Sequence, residues 1–367
     1  MQGVGLTQFI VSSFSRNAMI TSSTRSYPSL HDYQQFFDRL PAVAPAATDA
    51  VAGASQENIF QQTLLTLLPT VPAGTDQLVA LLLKAVSAFK AMKKGQLDEG
   101  HALLEPVLAA IPTLPAHANA LAETLVSPMA SFYYYRKGDF ETARQYADRS
   151  IDLSDQWQHH YSVLHIHRVQ QLFNKSRIDL AEGRYDAGLD TIRQLVHYLA
   201  TGQPPTLPGY WNESLLRQLP ESLVAVQFME IINEVIFLSL KNPDFEPVII
   251  NTILADVSQC LTNCVPGVPS PYSALVDWTE AKRDLAAHRY RDFLLQTAYF
   301  LATYSAAYDQ LKLSLVRDLN KLLFSADPSS AQTFRPKLGQ YINTQLRLPA
   351  RLINHLRASR ATATATA

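Results

Sequence analysis

A short phrase recurs in this chain, and it stands between two helical stretches each time. The segment KGQLDEG at 94–100 returns as KGDFETA at 137–143 and, more changed, as EGRYDAG at 182–188. The stretches around each copy have apolar residues at helical spacing. A repeated helix–turn–helix predicts an array in which every unit buries its apolar face against the next one. Because such arrays usually bind other molecules, the phrase constrains both the fold and the mode of action.

The glycine of the phrase marks a position that can be followed further along the chain. Five copies occupy it with Gly95, Gly138, Gly183, Pro243 and His288. Successive positions are therefore 43, 45, 60 and 45 residues apart. The long interval contains a Gly- and Pro-rich loop at 201–209, whose length accounts for the excess. We therefore predict five helix pairs, of which the last two are degenerate.

Each residue type in the phrase has a physical role. Glycine at the end of a helix can adopt a positive φ and close the first helix tightly. A large residue follows two positions later and is expected to pack between the two helices: Leu97, Phe140, Tyr185, Phe245 and Tyr290. In the clear copies a small residue comes three positions after that, where the helices approach each other: Gly100, Ala143 and Gly188.

The segment from Ser131 to Leu153 resembles the tetratricopeptide repeat family. Its residues on the family pattern are Tyr134, Gly138, Phe140, Ala143, Tyr146, Ile151 and Leu153. The resemblance covers residues 76–310, although these repeats exceed the family length of about 34 residues, and Ser127 and Ser131 replace the large residue and the glycine of the first helix. It implies an all-α fold, a right-handed superhelix of antiparallel helix pairs, with related α-solenoids as alternatives.

The remaining segments are predicted from composition. We expect a disordered or targeting segment at 1–28, N-terminal helices with an Ala/Pro linker at 29–75, the repeat array at 76–310, C-terminal capping helices at 311–358, and a disordered tail at 359–367. No run of eighteen apolar residues occurs, so no transmembrane segment is predicted. The acid-free N-terminus weakly resembles an organelle transit peptide, but a cytoplasmic protein is the expectation.

The sequence offers little evidence for a metal centre or a cofactor. Cys260 and Cys264 are too few for a disulfide framework or a four-ligand zinc site, and we interpret them as buried thiols in a reducing compartment. The histidines at 159, 160, 165 and 167 include no pair three or four residues apart, so we interpret them as surface histidines of a helix. We therefore predict no metal and no cofactor.

No motif identifies an enzyme. Phosphate-binding loops, nucleophile elbows and kinase signatures are missing from the sequence. Glu230 and Glu234 are four residues apart, but the companion Glu-x-x-His of a di-iron bundle is missing. Together with Gln227 and Lys241 they form a polar stripe, which we interpret as the wet edge of an otherwise buried helix. We therefore assign no catalytic residue.

The family resemblance implies that the first helix of each pair lines a concave groove. Transferring its groove positions copy by copy selects Phe89, Met92, Lys93, Phe132, Tyr135, Arg136, Phe173, Arg177, Trp278 and Lys282. Cations that alternate with aromatic rings suit an acidic peptide, through charge-assisted hydrogen bonds and apolar anchoring. The competing interpretation is that the aromatic residues form the repeat core and the cations belong to the ordinary surface.

These patterns predict a non-enzymatic protein that binds a peptide or protein partner in a concave groove, with acidic segments favoured. The alternative is an all-helical enzyme or small-molecule sensor with a pocket inside the superhelix. An open basic groove would favour the first, and a closed cavity with a buried titratable group would favour the second. Nucleic acid is a weaker candidate because the cations near the C-terminus are sparse, and a homo-oligomer is compatible with either.

Overall fold

All the regular structure that can be described in this chain is helical. The computed structural model describes residues 27–41, 62–66, 68–241, 245–254, 270–325 and 328–346, and no β-strand occurs in these ranges. The all-α prediction is therefore confirmed. The predictions for most of the N-terminal segment, most of the linker, the two cysteines and the C-terminal tail lie outside the described residues.

The helices are numbered here in chain order. Helix α1 spans Leu30–Asp38, and three pairs follow: α2 (Thr75–Lys93) with α3 (Leu97–Ala110), α4 (Ala116–Lys137) with α5 (Phe140–Trp157), and α6 (Val163–Ala181) with α7 (Tyr185–Thr201). The next helices are α8 (Glu213–Arg217), α9 (Glu221–Lys241) and α10 (Phe245–Val248), which continues into a π-helical turn, Ile249–Ile253. The last are α11 (Pro271–Ala286), α12 (Tyr290–Thr303), α13 (Asp309–Ser325) and α14 (Pro328–Gln345).

The tight turns within the pairs follow from the phrase. Gly95, Gly138 and Gly183 have φ angles of 91°, 82° and 86°, in the left-handed region that glycine adopts without strain. At Gly138 the amide of Asp139 donates to the carbonyl of Tyr134 at 3.0 Å and closes the end of α4. His288 adopts the same conformation with φ of 59°. The degenerate fifth copy therefore keeps the turn without the glycine.

Small residues let the two helices of a pair approach closely. A Cβ atom on Gly100 would lie 2.4 Å from the Met92 side chain, and one on Gly188 would lie 2.8 Å from that of Leu180. Ala143 is fully buried at the equivalent position of the second pair. The phrase therefore sets the spacing within each of the first three pairs as well as the turn.

Helix α9 forms much of the core between the first three pairs and the C-terminal helices. It packs against α6, α7, α11 and α13. Among the described helices it alone has the length and composition to cross a membrane, with a mean hydropathy of 1.8, but 78% of that window is buried inside the protein. Since the core helix of a folded domain passes the same test, the interior position of α9 accounts for its composition.

Helix α1 closes the C-terminal end of the helical stack, far from its neighbours in sequence. It packs against α12 and α14. Tyr33 and Phe36 are buried there, and the rings of Phe37 and Phe334 stack with their centroids 5.1 Å apart. This helix, which falls in the segment predicted to hold N-terminal helices, is thus part of the C-terminal packing.

The loop that lengthens the third interval is attached to α6 by a buried arginine. Arg168 donates from Nη1 to the carbonyl of Tyr210 at 2.8 Å and from Nη2 to that of Pro208, and its guanidinium lies 4.2 Å from the centroid of the Trp211 ring. Asp155 lies 3.3 Å from Nε and balances the charge. These contacts compensate the burial of the guanidinium, which otherwise would be costly. The loop is therefore an ordered part of the domain.

Candidate functional site

The first helices of the first three pairs share one cavity. Helices α2, α4 and α6 line a partly open space of about 370 Å³, and Leu64 and Glu230 complete its wall. This volume falls in the range of pockets that hold small ligands or a few residues of a peptide. The cavity is therefore the strongest candidate site in the described part of the chain.

One wall of the cavity is apolar and comes from α2 and α4. Its side chains are Leu82, Val86, Phe89, Leu125, Met129 and Phe132. On α2 these positions recur every three or four residues, so they share one face of the helix. The rings of Phe89 and Phe132 meet edge to face, with centroids 5.2 Å apart. This geometry suits aromatic quadrupoles and presents both rings to the cavity.

The opposite wall is polar and comes from α6. Its side chains toward the cavity are His167, Gln170, Gln171, Asn174 and Arg177. Asn174 donates from Nδ2 to Oε1 of Gln171 at 3.0 Å, and Gln170 donates from Nε2 to Oδ1 of Asn174 at 3.4 Å. A side-chain amide both donates and accepts hydrogen bonds, so this wall can satisfy the same groups of a bound backbone.

Charges of both signs lie at this cavity. Lys93 comes from α2, Arg177 from α6 and Glu230 from α9. Burial raises the pKa of the Glu230 carboxyl above its ordinary value, although the nearby charges of Arg177 and Lys93 act in the opposite direction. Oε1 of Glu234 lies 3.9 Å from Nε of Arg177. The cations that the sequence analysis selected are therefore opposed by carboxylates.

The polar stripe on α9 is therefore not simply the solvent-exposed edge of a buried helix. Gln227 is fully buried, which contradicts its assignment to a solvated edge. Glu230 faces the cavity and Glu234 contacts Arg177, since α9 packs on α6. Helical spacing indicated the stripe correctly, but only the packing of α9 shows what the stripe faces.

Five of the residues predicted for the groove line the cavity: Phe89, Lys93, Phe132, Tyr135 and Arg177. Arg136 is exposed, with its guanidinium 5.6 Å from the centroid of the Phe132 ring. Met92 and Phe173 are buried in the core, so neither is available to a partner. The structure thus brings the predicted residues of the first two pairs, and Arg177 of the third, to one place.

The prediction for the fifth copy was wrong. Trp278 and Lys282 are only 0% and 2% exposed. Nζ of Lys282 lies 2.5 Å from Oε1 of Glu246 and also contacts Oδ2 of Asp318. Helix α13 packs against α11 and covers the face that the resemblance assigned to the groove. This aromatic–cation pair therefore belongs to the core.

The groove residues selected from the sequence did not include a similar aromatic–cation pair on α9. Nζ of Lys241 lies 4.2 Å from the centroid of the Phe237 ring. Relative to Pro243, these two residues occupy the same positions as Phe89 and Lys93 relative to Gly95. Applying the phase of the first copies to the fourth would have found this pair.

Two of the four clustered histidines are buried, contrary to the surface interpretation. His165 is 0% exposed and His167 is 7% exposed, whereas His159 and His160 are exposed. Nδ1 of His165 lies 2.6 Å from Oε1 of Gln158, and Nδ1 of His167 lies 3.1 Å from Oγ of Ser154. Burial lowers the pKa of each imidazole to about 4. Both rings are therefore neutral near pH 7.

The described residues contain no group of three or more His, Cys, Asp or Glu that could hold a metal ion. The cavity instead offers an apolar wall, a wall of side-chain amides, and charges of both signs. Comparisons of the chain with models of protein families, with curated proteins and with solved structures found no match. The resemblance to the tetratricopeptide repeat family therefore stays a prediction from the sequence.

Proposed function

We propose that this chain is a non-enzymatic helical-repeat protein that binds a segment of a peptide or protein partner in the cavity between α2, α4 and α6. In this proposal the helix pairs form a tetratricopeptide-like right-handed superhelix, whose concave side is lined by the first helix of each pair. The observation that supports it most is that three successive first helices, and none of their second helices, line one cavity.

The chemistry of the walls suits a peptide segment. The rings of Phe89 and Phe132 offer an apolar surface for an anchoring side chain, as at the buried centre of a protein interface. The amides of Gln170 and Asn174 can pair with the backbone of an extended segment. Lys93 and Arg177 can donate charge-assisted hydrogen bonds to an acidic side chain. An acidic segment with one large apolar residue is therefore the proposed ligand.

A defined peptide set tests this proposal. Acetylated and amidated hexapeptides would carry a central leucine followed by two glutamates, two glutamines or two lysines, and binding would be measured by fluorescence polarisation. We expect the glutamate peptide to bind most tightly. The double variant Lys93→Gln, Arg177→Gln should weaken its binding by about tenfold or more, because two charge-assisted contacts are lost.

Lys90→Gln is the matched control, because Lys90 is exposed on the same helix but does not line the cavity. It should leave the affinity unchanged. Equal affinities of the double variant and the wild type, with both folded by circular dichroism, would refute the proposal. Tighter binding of the lysine peptide would refute the preference for acidic segments.

A small-molecule sensor is the second candidate function. It is favoured by the size of the cavity, about 370 Å³, and by a half-buried titratable group, Glu230, in its wall. A thermal-shift screen of small amphipathic acids and bases distinguishes the two. A compound that raises the melting temperature of the wild type but not of Phe132→Ala, in a protein that binds none of the peptides, would establish the sensor instead.

A further inference from the structure

The carboxylate in the cavity wall comes from a different part of the chain than the cations. Lys93 and Arg177 belong to the first and third helix pairs, whereas Glu230 belongs to α9, which follows the inserted loop. The charge of Arg177 and, less strongly, that of Lys93 oppose the rise in the Glu230 pKa that burial causes, and Gln170 lines the same cavity. Glu230 thus lines the same cavity as the two cations, whose charges favour its ionised form.

An acidic side chain that enters the cavity would need the same two cations. Two carboxylates a few ångströms apart repel each other, and they do so several times more strongly in a partly buried site than in water. This repulsion is relieved if the internal carboxyl takes up a proton or moves away from the cations. The burial that raises the pKa of Glu230 makes proton uptake the less costly of the two responses.

We infer that Glu230 is a specificity-determining residue of the cavity, acting as a built-in competitor that an acidic segment replaces on Lys93 and Arg177 with uptake of one proton. This inference rests on the proposed function, since it concerns the same cavity and the same class of ligand. It predicts that acidic segments bind more tightly as the pH falls and that the affinity for neutral segments does not depend on pH.

The other groups around Glu230 do not produce the same pH dependence of binding. On α6 these are Arg177, Gln170 and His167, on α2 Lys93, on α4 Tyr135, and on α9 itself Glu234. Burial lowers the pKa of His167 to about 4, so its ring stays neutral in the pH range where the Glu230 carboxyl, whose pKa is raised, titrates. Glu234 also lies beside Arg177, at 3.9 Å, but it does not line the cavity. Glu234 is therefore the matched control for Glu230.

The experiment compares the wild type with Glu230→Gln and Glu234→Gln, using the glutamate and glutamine hexapeptides at about pH 5.5 and about pH 8. The wild type should bind the glutamate peptide about tenfold more tightly at the lower pH. Glu230→Gln should bind it about tenfold more tightly than the wild type at the higher pH, with a flat pH profile. Glu234→Gln should keep a pH dependence with its midpoint at a lower pH, because the Glu234 charge contributes to the raised pKa of Glu230 in the wild type.

Calorimetry in two buffers of different ionisation enthalpy measures the proton directly. Binding of the glutamate peptide near neutral pH should be accompanied by the uptake of about a half to one proton in the wild type, as expected for one titrating carboxyl group. Glu230→Gln should take up none. If the wild type binds this peptide but Glu230→Gln has the same affinity and proton uptake, the inference is overturned and the proposed function stands. If none of the three proteins binds either peptide, the proposed function fails and the inference fails with it.

Discussion

The first two helix pairs and the fifth carry the same local arrangement in opposite surroundings. In each, a cation lies four residues after an aromatic ring on the first helix, at 4.5 Å for Lys93 and Phe89, 5.6 Å for Arg136 and Phe132, and 5.2 Å for Lys282 and Trp278. Phe89, Lys93 and Phe132 line an open cavity, whereas Trp278 and Lys282 are buried. The same sequence spacing and a similar contact between cation and ring thus serve a candidate site in one region and the core in the other.

The difference comes from what packs over the helix. Around Lys282, helices α10 and α13 supply Glu246 and Asp318. Burial disfavours the Asp318 carboxylate, yet Lys282 and Arg317 hold its pKa below its ordinary value. At Lys93 the corresponding face is left open, with Glu230 as the carboxylate across the cavity. An exposed cation can serve recognition, whereas a buried one must be neutralised by its own protein.

The most direct test of this comparison concerns the two lysines. Lys282→Met should lower the free energy of unfolding by about 3 kcal/mol, because Glu246 and Asp318 lose their buried partner and keep only the more exposed cations Arg317 and Lys321. Lys93→Met, at an exposed position, should change it by less than about 0.5 kcal/mol. Urea unfolding of both variants measures the difference, and similar midpoints would show that the two environments are energetically alike.

The buried histidines of α6 predict a loss of stability in acid. His165 and His167 have pKa values of about 4 in the folded protein, below the ordinary 6.5. The unfolded chain therefore binds more protons between pH 6.5 and 4, so stability falls as the pH falls through this window, by about 3 kcal/mol for each ring. Below the window the effect is complete.

Urea unfolding at several pH values measures this loss. His167→Gln, which can still hydrogen-bond Ser154, should show a shallower acid decline by about half of the total. His160→Gln is the control, since His160 is exposed. If the wild type and His167→Gln decline equally, the ring is not held neutral by burial.

The smallest effect concerns the turns. Gly138→Ala should cost about 1 kcal/mol, because φ of 82° strains any residue with a Cβ, while no atom lies within 4 Å of the added carbon. His288→Gly should instead stabilise the fifth pair by up to about 1 kcal/mol, since the same conformation is held by a non-glycine residue. Thermal unfolding of both variants provides the test. Changes in stability of the same sign would mean that the two turns differ in more than backbone strain.

Much of the helical framework could be predicted from the sequence because its causes are local. Helices flank each of the first three copies of the phrase, as apolar spacing predicted, and the turns fall at its glycines. Four cavity residues of α2 and α4 were selected through the family resemblance: Phe89, Lys93, Phe132 and Tyr135. His165, His167 and Arg168 were misjudged or missed, since polar residues on a helix usually face water.

The sequence by itself therefore determined where the turns of the clear copies fall and which residues share a face, because these properties depend on neighbours within a turn or two. The tertiary structure alone decided which faces are covered. Lys282 meets Glu246 across 36 residues of chain, and Arg168 meets the carbonyl of Tyr210 across 42. Such contacts depend on how the helices are stacked, and the periodicity of one helix does not contain that information.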